Sequence, residues 1–460
     1  MIKQVEEWEI GRMGAPKPPL VPGLPGIGIA HKMFRDPLAY FVRLYHQYGP
    51  IFRIRLFNRD ITVMAGIDAN RFLNRDGNSI LNSEMLFGSF GREFNTDIFL
   101  TAMDGPEHKH LRKQSRRGYS RSAMMPHLDQ LIQIVDRYTD SLQAGDKINV
   151  LSTLQFLVTQ QLGVVIAGRT PEDYFPDLQR FLNYNINVKV LRMWPELMMR
   201  MPAYKRSKAR VIELGKEVLA AHRANPTSSE PDAKDLIDDL LQAKDWHGEP
   251  YDEAMLLAAT VGPYFAGIDT VASSLSFLVY TVLKHPQVLA QVRKEVEQVF
   301  ANGTPSLTDL KDMETLHGAA VETLRMYPVA PFTPRVTKEP FEFHGYQVEA
   351  ESEIFFAQTV THYLPEFYPK PHRFDPMRFA KGAGRGVPGA FAPYTLGDHL
   401  CLGAGIAEAQ MMLILARLLH NLELSLESPA YEVTIHAAPL PNPGRKFKVL
   451  VVQNRTKNEE

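Results

Sequence analysis

Residues 394–403, which read YTLGDHLCLG, decide the fold prediction because they contain Cys401, the only cysteine of the chain. The next residues, 404–422, have apolar side chains at helical spacing, so we expect a helix that begins just after the cysteine. The free backbone N–H groups and the dipole at a helix N-terminus favour a thiolate over a thiol. Cys401 is therefore a candidate ligand, although a lone cysteine is more often a small buried hydrophobic residue.

Two glycines flank this cysteine: Gly397 can supply a positive φ for a tight turn, and Gly403 lets a flat ligand approach the backbone. The pattern resembles the haem-binding signature of the cytochrome P-450 family: an aromatic residue, two residues, glycine, one residue, a basic residue, one residue, cysteine, one residue and glycine. Tyr394 stands where phenylalanine is usual, and His399 stands where arginine is commoner. The resemblance implies haem b, with Cys401 as the iron ligand and Tyr394, Gly397 and Gly403 against the cofactor.

The resemblance also implies the family fold, which is mainly α with a small β portion (α+β) and forms a single haem-containing domain. Hydrophobic residues make up 45% of the chain and charged residues 22%, so the composition is compatible with a globular domain. The predicted organisation of residues 1–460 is a β-containing lobe at roughly 48–66 and 331–356, a helical lobe at roughly 104–330, the cysteine loop at 394–403 and a C-terminal β segment at roughly 430–452.

The charge balance argues against several classes of partner. There are 51 Lys and Arg residues against 52 Asp and Glu residues, so the net charge of -1 draws the chain neither to nucleic acid nor to anionic lipid. A single cysteine excludes an internal disulfide framework and fits a reducing compartment. The charged N-terminus lacks a signal-peptide core, and we find no run of about 18 apolar residues. We expect a soluble, cytoplasmic monomer of bacterial type without a transmembrane anchor.

A second motif lies upstream, in residues 319–328 (AAVETLRMYP). Glu322 and Arg325 are three residues apart, so they share a helix face and can pair, as many ordinary surface residues do. In the cytochrome P-450 family the matching residues form a structural network with the arginine of a later segment, which here is Arg378 in residues 371–379 (PHRFDPMRF). The resemblance therefore implies that Glu322, Arg325 and Arg378 support the haem core and are not catalysts.

Four basic residues are candidates for binding the haem propionates, because two carboxylates at a buried cofactor are costly without cationic partners. His108 and Arg112 are four residues apart and share a helix face. The resemblance places this pair, together with Arg335 and His399, at the propionates. Each of these residues alone would more often be a solvated basic side chain.

The long apolar stretch 255–283 contains the sequence AGIDT, in which glycine, aspartate and threonine are weak helix formers. Such a local conflict is expected at a functional site. The resemblance implies that Asp269 passes protons from solvent, that Thr270 holds a proton-donating water, and that Ala266 and Gly267 leave room for dioxygen. The alternative is that Thr270 bonds back to the Ala266 carbonyl and only bends the helix.

The resemblance implies a monooxygenase that inserts one atom of O2 into a hydrophobic organic substrate, by hydroxylation or epoxidation of a terpenoid, steroid, fatty acid or similar molecule. The alternatives are a haem-thiolate isomerase or peroxygenase that needs no electron donor, and a haem sensor. Members of the first kind tend to lose the acid–threonine pair, which this chain keeps at Asp269 and Thr270. The residues implied for the substrate pocket are Met85, Phe87, Phe90, Ala266, Phe332 and Leu440.

The electron donor is expected to be a separate protein, a ferredoxin or a flavodoxin with an NAD(P)H reductase. The further cysteines that an iron–sulfur cluster needs are absent from the chain. A basic run is usually a solvated surface. In the family, however, the corresponding helix face lies on the cysteine side of the haem and receives an acidic electron donor. The basic residues implied for this docking face are Lys109, Lys113, Arg116, Arg117 and Arg121.

Overall fold

The computed structural model describes residues 14–457 except 34, 226–233, 302 and 381–385, and its secondary structure is mainly α with a small β portion. This confirms the predicted fold class. The chain forms two compact units, and the prediction of one domain over the whole chain stays a prediction. The β unit takes its residues from within Met1–Leu86, Ala330–His372 and Gly386–Leu400, and the helical unit from within Phe87–Val329, Arg373–Arg385 and Cys401–Glu460.

The described residues form α-helices wherever apolar residues recur at helical spacing. The helices are α1 Ala30–Met33, α2 Pro37–Tyr48, α3 Ile67–Asn74, α4 Gly77–Ile80, α5 Glu84–Arg92, α6 Gly105–Ser115, α7 Leu128–Asp140, α8 Val150–Ala167, α9 Phe175–Asn185, α10 Pro202–Ala224, α11 Leu236–Gln242, α12 Glu253–Lys284, α13 Pro286–Phe300, α14 Leu307–Asp312, α15 Glu314–Met326 and α16 Ala404–Asn421. Both α8 and α12 are apolar on nearly all sides, which is the pattern of a helix that is buried in a core.

The strands are short and form three sheets. They are β1 Ile51–Leu56, β2 Arg59–Ala65, β3 Leu81–Asn82, β4 Lys147–Asn149, β5 Thr333–Thr337, β6 Phe341–Phe343, β7 Tyr346–Val348, β8 Glu353–Ala357, β9 Leu422–Leu426 and β10 Lys448–Asn454. The β unit contains a five-stranded sheet in the order β1-β2-β8-β5-β3 and the hairpin β6-β7. The helical unit contains the three-stranded sheet β4-β10-β9.

The five-stranded sheet buries apolar side chains on both faces. Successive residues of a strand point to opposite faces. On β2, Ile61 and Val63 belong to one buried cluster, and Met64 belongs to the other. The neighbouring β8 repeats this alternation, since Phe355 packs in the first cluster and Phe356 in the second. This two-sided core explains why β2 and β8, which pair in parallel, read as nearly continuous apolar runs.

The strand predictions differ from the structure at two places. The stretch 104–330, predicted to be helical, contains β4, which pairs with β10. The C-terminal β segment, predicted at roughly 430–452, is a strand only at its end, where β10 begins, while β9 precedes it and residues 427–447, all of them described, contain no strand. Residues 437–444 (AAPLPNPG) include three prolines, and proline cannot donate a hydrogen bond to a strand ladder.

Three segments are long and apolar enough to cross a membrane, by length and composition alone. They are Val150–Ala167, Glu253–Lys284 and Gly397–Asn421. Within the fold, 83% of the apolar window is buried in each of the first two segments, and 50% in the third. Burial inside the protein accounts for the apolar character of the first two, and the expected lack of a transmembrane anchor stays a prediction.

Candidate functional site

Cys401 belongs to the helical unit and lies just before the N-terminus of α16, as the sequence predicts. Although Cys401 keeps an exposed surface, burial among the surrounding protein atoms raises the pKa of its thiol. Hydrogen bonds from the backbone N–H groups of Gly403 and Ala404 and the charge of Arg112 lower this pKa, but by less. The helix N-terminus thus favours the thiolate, as expected, while desolvation opposes it. A cation at the sulfur would further stabilise the anionic form.

Gly403, two residues after the cysteine, is not crowded by its neighbours within the helical unit. A Cβ atom at Gly403 would lie 3.9 Å from both Cys401 Sγ and Tyr119 Cδ1, which is ordinary contact. The φ of Gly403 is -82°, so neither packing nor backbone conformation within the helical unit requires glycine here. An uncrowded glycine beside a thiol whose anion a cation would stabilise fits a haem iron and its porphyrin. Tyr119 was missed from the sequence because no motif contains it.

The predicted propionate pair of the helical unit lies on α6. His108 is fully buried, and Arg112, one turn further along the helix, is half-buried. The charge of Arg112 acts on Cys401, so the structure brings these two predicted site residues into the same electrostatic environment. Binding of haem propionates by His108 and Arg112 stays a prediction.

The first part of the cysteine loop belongs to the β unit. Gly397 has a φ of +73°, as predicted for a tight turn, and a Cβ atom there would lie 2.6 Å from the Leu73 carbonyl oxygen. Glycine is therefore required at this position by both conformation and packing. His399 Nε2 is hydrogen-bonded to Ser83 Oγ at 3.1 Å, and Tyr394 is half-buried.

Two further predicted site residues lie on or beside β5 in the β unit. Arg335 is buried and donates a hydrogen bond from Nη1 to the Pro334 carbonyl oxygen at 2.7 Å. Phe332, predicted to line the substrate pocket, stacks on Phe355 with ring centroids 4.4 Å apart and contacts Phe41 edge-on. The ring of Phe332 thus packs against the core of the β unit, which is a sufficient reason for an aromatic residue at this position.

Glu322, Arg325 and Arg378 meet in one hydrogen-bonded cluster of the helical unit, as the resemblance implies. Arg325 donates from Nε and Nη2 to the two carboxylate oxygens of Glu322, each at 2.8 Å, in a bidentate pair. Arg378 Nε and the backbone N–H of Asp375 donate to Glu322 Oε1 at 3.1 and 3.2 Å. Glu322 and Arg325 are both 0% exposed, so this is a buried ionic cluster and not a surface pair.

The acid and the hydroxyl predicted for proton delivery are adjacent on α12. Thr270 Oγ1 donates a hydrogen bond to the Ala266 carbonyl oxygen, which is the contact that the alternative interpretation requires. Asp269 Oδ1 accepts a hydrogen bond from Gln155 Nε2 at 2.6 Å. Burial raises the pKa of Asp269, while the bond from Gln155 and the charge of Arg445 lower it. Gln155 lies on α8 and was missed from the sequence, because only the packing of two helices makes it a neighbour.

Ala266 and Gly267 differ in their surroundings. Ala266 is exposed in the helical unit, as expected for a residue that leaves room for a small ligand. Gly267 is buried, and a Cβ atom there would lie 2.3 Å from Leu162 Cδ1 on α8. Close packing of α12 against α8 therefore accounts for this glycine. That Gly267 leaves room for dioxygen stays a prediction, because helix packing alone explains a glycine at this position.

An aromatic cluster in the helical unit includes one predicted pocket residue. Phe90 is buried, stacks on Phe99 and contacts Phe265 of α12, with ring centroids 6.1 Å apart in both pairs. Phe265 also contacts Phe94 and Phe181 at 6.3 and 5.2 Å. The other predicted pocket residues are more open: Met85 in the β unit is exposed, and Phe87 and Leu440 in the helical unit are half-buried.

Comparison with known proteins agrees with this geometry. A sterol 14alpha-demethylase from Mycolicibacterium vanbaalenii is 24% identical over 407 residues, which cover 86% of this chain and 88% of the relative. A cyclooctat-9-en-7-ol 5-monooxygenase from Streptomyces melanosporofaciens is 32% identical over 46% of each chain. The solved structure of retinoic acid bound cyanobacterial CYP120A1 superposes with a TM-score of 0.80 at 23% identity, over 95% of this chain and 99% of the relative.

The family model for cytochrome P-450 matches residues 18–449, which include the cysteine loop, α6, α12 and the Glu322 cluster. The family and its fold bind haem b, use O2, an organic substrate and a redox partner, and incorporate oxygen into the substrate. A match of this length, centred on a fold and a thiol site that suit such a cofactor, shows that the chain belongs to the cytochrome P-450 family of haem-thiolate monooxygenases.

Proposed function

We propose that this protein hydroxylates or epoxidises a hydrophobic organic substrate, such as a terpenoid, a steroid or a fatty acid. The middle of α12 carries the proposal. Phe265 joins the apolar cluster around Phe90, and within the next five residues come the exposed Ala266 and the acid–hydroxyl pair of Asp269 and Thr270. Aromatic rings recognise apolar surface, and an adjacent acid and hydroxyl can transfer protons.

The printed names of relatives support a hydrophobic substrate without choosing one. One relative is a sterol demethylase, and a structural relative contains retinoic acid. Both of these molecules are largely apolar. The aromatic side chains of the helical unit suit a substrate of this kind, because burial of apolar surface is the main driving force for binding such molecules.

Haem, when bound, supplies the oxygen chemistry, and ligation by a cysteine thiolate favours O–O cleavage. We propose that Cys401 is this ligand and that His108 and Arg112 hold propionate oxygens, with Arg335 and His399 as the further predicted propionate donors. The Thr270 hydroxyl donates a hydrogen bond to the Ala266 carbonyl oxygen in the structure. Its oxygen lone pairs are therefore the part that can accept a hydrogen bond from water. Asp269 would exchange protons with solvent and return them to this water.

The direct test is reconstitution with NAD(P)H, a surrogate ferredoxin and its reductase, under oxygen-18 gas. A screen of hydrophobic compounds for a shift of the haem Soret band selects the substrates for turnover. We expect products that carry one labelled oxygen atom and that require both NAD(P)H and the ferredoxin. Product formed from hydrogen peroxide but not from the electron-transfer system would favour the peroxygenase alternative. Ligand binding without turnover of any compound would favour a sensor.

Replacement of Thr270 by alanine tests whether its hydroxyl orders a proton-donating water. The variant should bind haem, substrate and dioxygen like wild type, but its protons would arrive at the wrong place and time. We expect NAD(P)H oxidation to continue while the yield of product per electron pair falls about tenfold or more and hydrogen peroxide rises. Thr270→Ser, which keeps the hydroxyl, is the matched control. If wild type and Thr270→Ala gave the same yield of product per electron pair, the hydroxyl would have no role in proton delivery. Its hydrogen bond to Ala266 would then be only a local feature of the helix.

We also propose that a ferredoxin or flavodoxin docks on the basic face of α6. Lys109, Lys113 and Arg116 are exposed, as the docking interpretation requires. Arg117 differs, because its guanidinium forms a bidentate pair with the Asp239 carboxylate at 2.7 and 2.9 Å. Arg117 therefore has a role within the helical unit, where it ties α11 to the end of α6. We therefore leave Arg117 out of the proposed docking face.

Reversal of charge at Lys113 and Arg116 should slow electron transfer from an acidic donor. We expect Lys113→Glu/Arg116→Glu to lower the rate of haem reduction at least tenfold at low salt, because surface charge mainly sets the encounter rate. The salt dependence of the rate should weaken in parallel. Lys294→Glu, an exposed reversal on α13, is the control. Equal reduction rates in the double variant and this control would place the docking face elsewhere.

A further inference from the structure

Three hydrogen-bonded polar side chains connect α12, α8 and α9 in the helical unit. Asp269 Oδ1 on α12 accepts a hydrogen bond from Gln155 Nε2 on α8 at 2.6 Å. Gln155 Oε1 in turn accepts a hydrogen bond from Gln179 Nε2 on α9 at 3.0 Å. Gln155 is 8% exposed, whereas Gln179 is half-buried. These hydrogen bonds therefore link the acid Asp269 through the buried Gln155 amide to Gln179, whose side chain solvent can reach.

The directions of these two hydrogen bonds fix which end of the Gln155 amide faces Asp269. A glutamine amide has one acceptor oxygen and one donor NH2 group, so when its oxygen faces a donor on one side its NH2 group faces the other side. Gln179 supplies the donor to Gln155, and Gln155 therefore presents its NH2 group to Asp269. Asp269 Oδ1 is therefore an acceptor, and an ionised carboxylate accepts this hydrogen bond more strongly than a protonated carboxyl does. The reverse order would require a protonated Asp269 to donate to Gln155 Oε1.

We propose that Gln155 is a positioning residue, which holds the Asp269 carboxylate against α8 as a hydrogen-bond acceptor, and that Gln179 fixes the orientation of the Gln155 amide. The proposal rests on the proposed role of Asp269 in proton transfer and adds the residues that control it. Within the described residues Asp269 Oδ2 accepts no hydrogen bond, so this oxygen is the atom that can take up and release a proton. Gln155 itself transfers no proton.

The electrostatic surroundings explain why such a residue matters. Burial opposes the ionised form of Asp269, and the two groups that favour it are Gln155 and the more distant cation Arg445. Gln155 and Gln179 are neutral, so among the described residues Arg445 is the charged group that acts on Asp269. Loss of the Gln155 N–H group would remove the direct hydrogen bond and leave burial opposed by Arg445 alone. The pKa of Asp269 should then rise.

The test compares Gln155→Leu with Gln160→Leu in the haem-loaded enzyme. Gln160 is also a buried amide on α8, and its side chain makes no hydrogen bond in the described part of the chain, so its replacement controls for loss of a buried polar group. We expect Gln155→Leu to lower product formation about tenfold, as replacement of residues that orient a reacting group does. The acid limb of the pH profile should move to higher pH, by about one unit, because loss of the hydrogen bond from Gln155 disfavours the ionised Asp269. Gln160→Leu should change neither.

A second readout does not depend on turnover. The carbonyl stretching band of protonated Asp269 can be identified by infrared difference spectroscopy as the band that Asp269→Asn removes. Its titration should move to higher pH in Gln155→Leu, and by a smaller amount in Gln179→Leu, which only frees the Gln155 amide to rotate. Gln179→Leu replaces a half-buried side chain, so it provides the same test if Gln155→Leu does not fold.

The outcomes separate this proposal from the proposed function. If Asp269→Asn removes the acid limb but Gln155→Leu shifts neither the limb nor the infrared band, Gln155 only packs between helices and the positioning role is overturned. If Asp269→Asn leaves coupling and pH profile unchanged, the proton role of Asp269 fails and the positioning role fails with it. In the Asp269→Asn background, Gln155→Leu should have no further effect on turnover, and a further tenfold loss there would also contradict the proposal.

Discussion

Cys401→His is expected to abolish the red-shifted Soret band that thiolate ligation gives to the carbon monoxide complex of reduced haem. Cys401 is the only thiol of the chain, so no other residue can supply this ligand. The imidazole of the variant is a neutral ligand and donates less electron density to iron than a thiolate does. We expect the complete loss of the thiolate band, and monooxygenase turnover at the limit of detection, in a protein that still binds haem.

The control for this experiment is Tyr119→Phe. Tyr119 lies beside Cys401, and its ring would remain in place without the hydroxyl. This variant should keep the thiolate band, which would show that the loss in Cys401→His comes from the sulfur and not from disturbed packing near it. A thiolate band that persists in Cys401→His would overturn the assignment of the iron ligand.

The sequence was most informative where chemistry and local spacing coincide. The apolar periodicity of residues 404–422 predicts where α16 begins, and this places Cys401 just before the helix. The pairing of Glu322 with Arg325 follows from their separation by three residues. Arg378 could be added only through the family resemblance, because nothing in local spacing brings a residue 56 positions away to the same carboxylate.

What could not be predicted depends on how helices pack. Gln155 and Asp269 are 114 residues apart, and Arg117 and Asp239 are 122 apart, so neither pair leaves a pattern in the sequence. The balance of effects on the pKa of the Cys401 thiol could not be predicted for the same reason. A helix N-terminus can be identified from sequence, but the desolvation that opposes it is set by tertiary neighbours. The glycine at position 267 likewise suggested space for a small ligand, whereas close packing against Leu162 of the adjacent helix already explains why a glycine stands there.

Glu322→Ala is expected to prevent the recovery of haem-loaded protein. The carboxylate of Glu322 accepts hydrogen bonds from Arg325, from Arg378 and from the backbone of Asp375, in a place where neither Glu322 nor Arg325 is exposed. Removal of one partner from a buried ionic cluster costs about 3–5 kcal/mol. Domains are stable by only about 5–15 kcal/mol, so this single change removes a large share of the margin.

Two further variants give this expectation a sharp comparison. Glu213 pairs with Arg210 at the same spacing of three residues but on an exposed surface of α10, so Glu213→Ala should cost less than about 1 kcal/mol. Glu322→Gln keeps the shape and one acceptor oxygen and should fall between the two. The measurements are haem content after purification and the urea midpoint of unfolding. If Glu322→Ala were no less stable than Glu213→Ala, burial would contribute nothing to the cluster. Its three partners would then be incidental neighbours of a charge that the fold does not need.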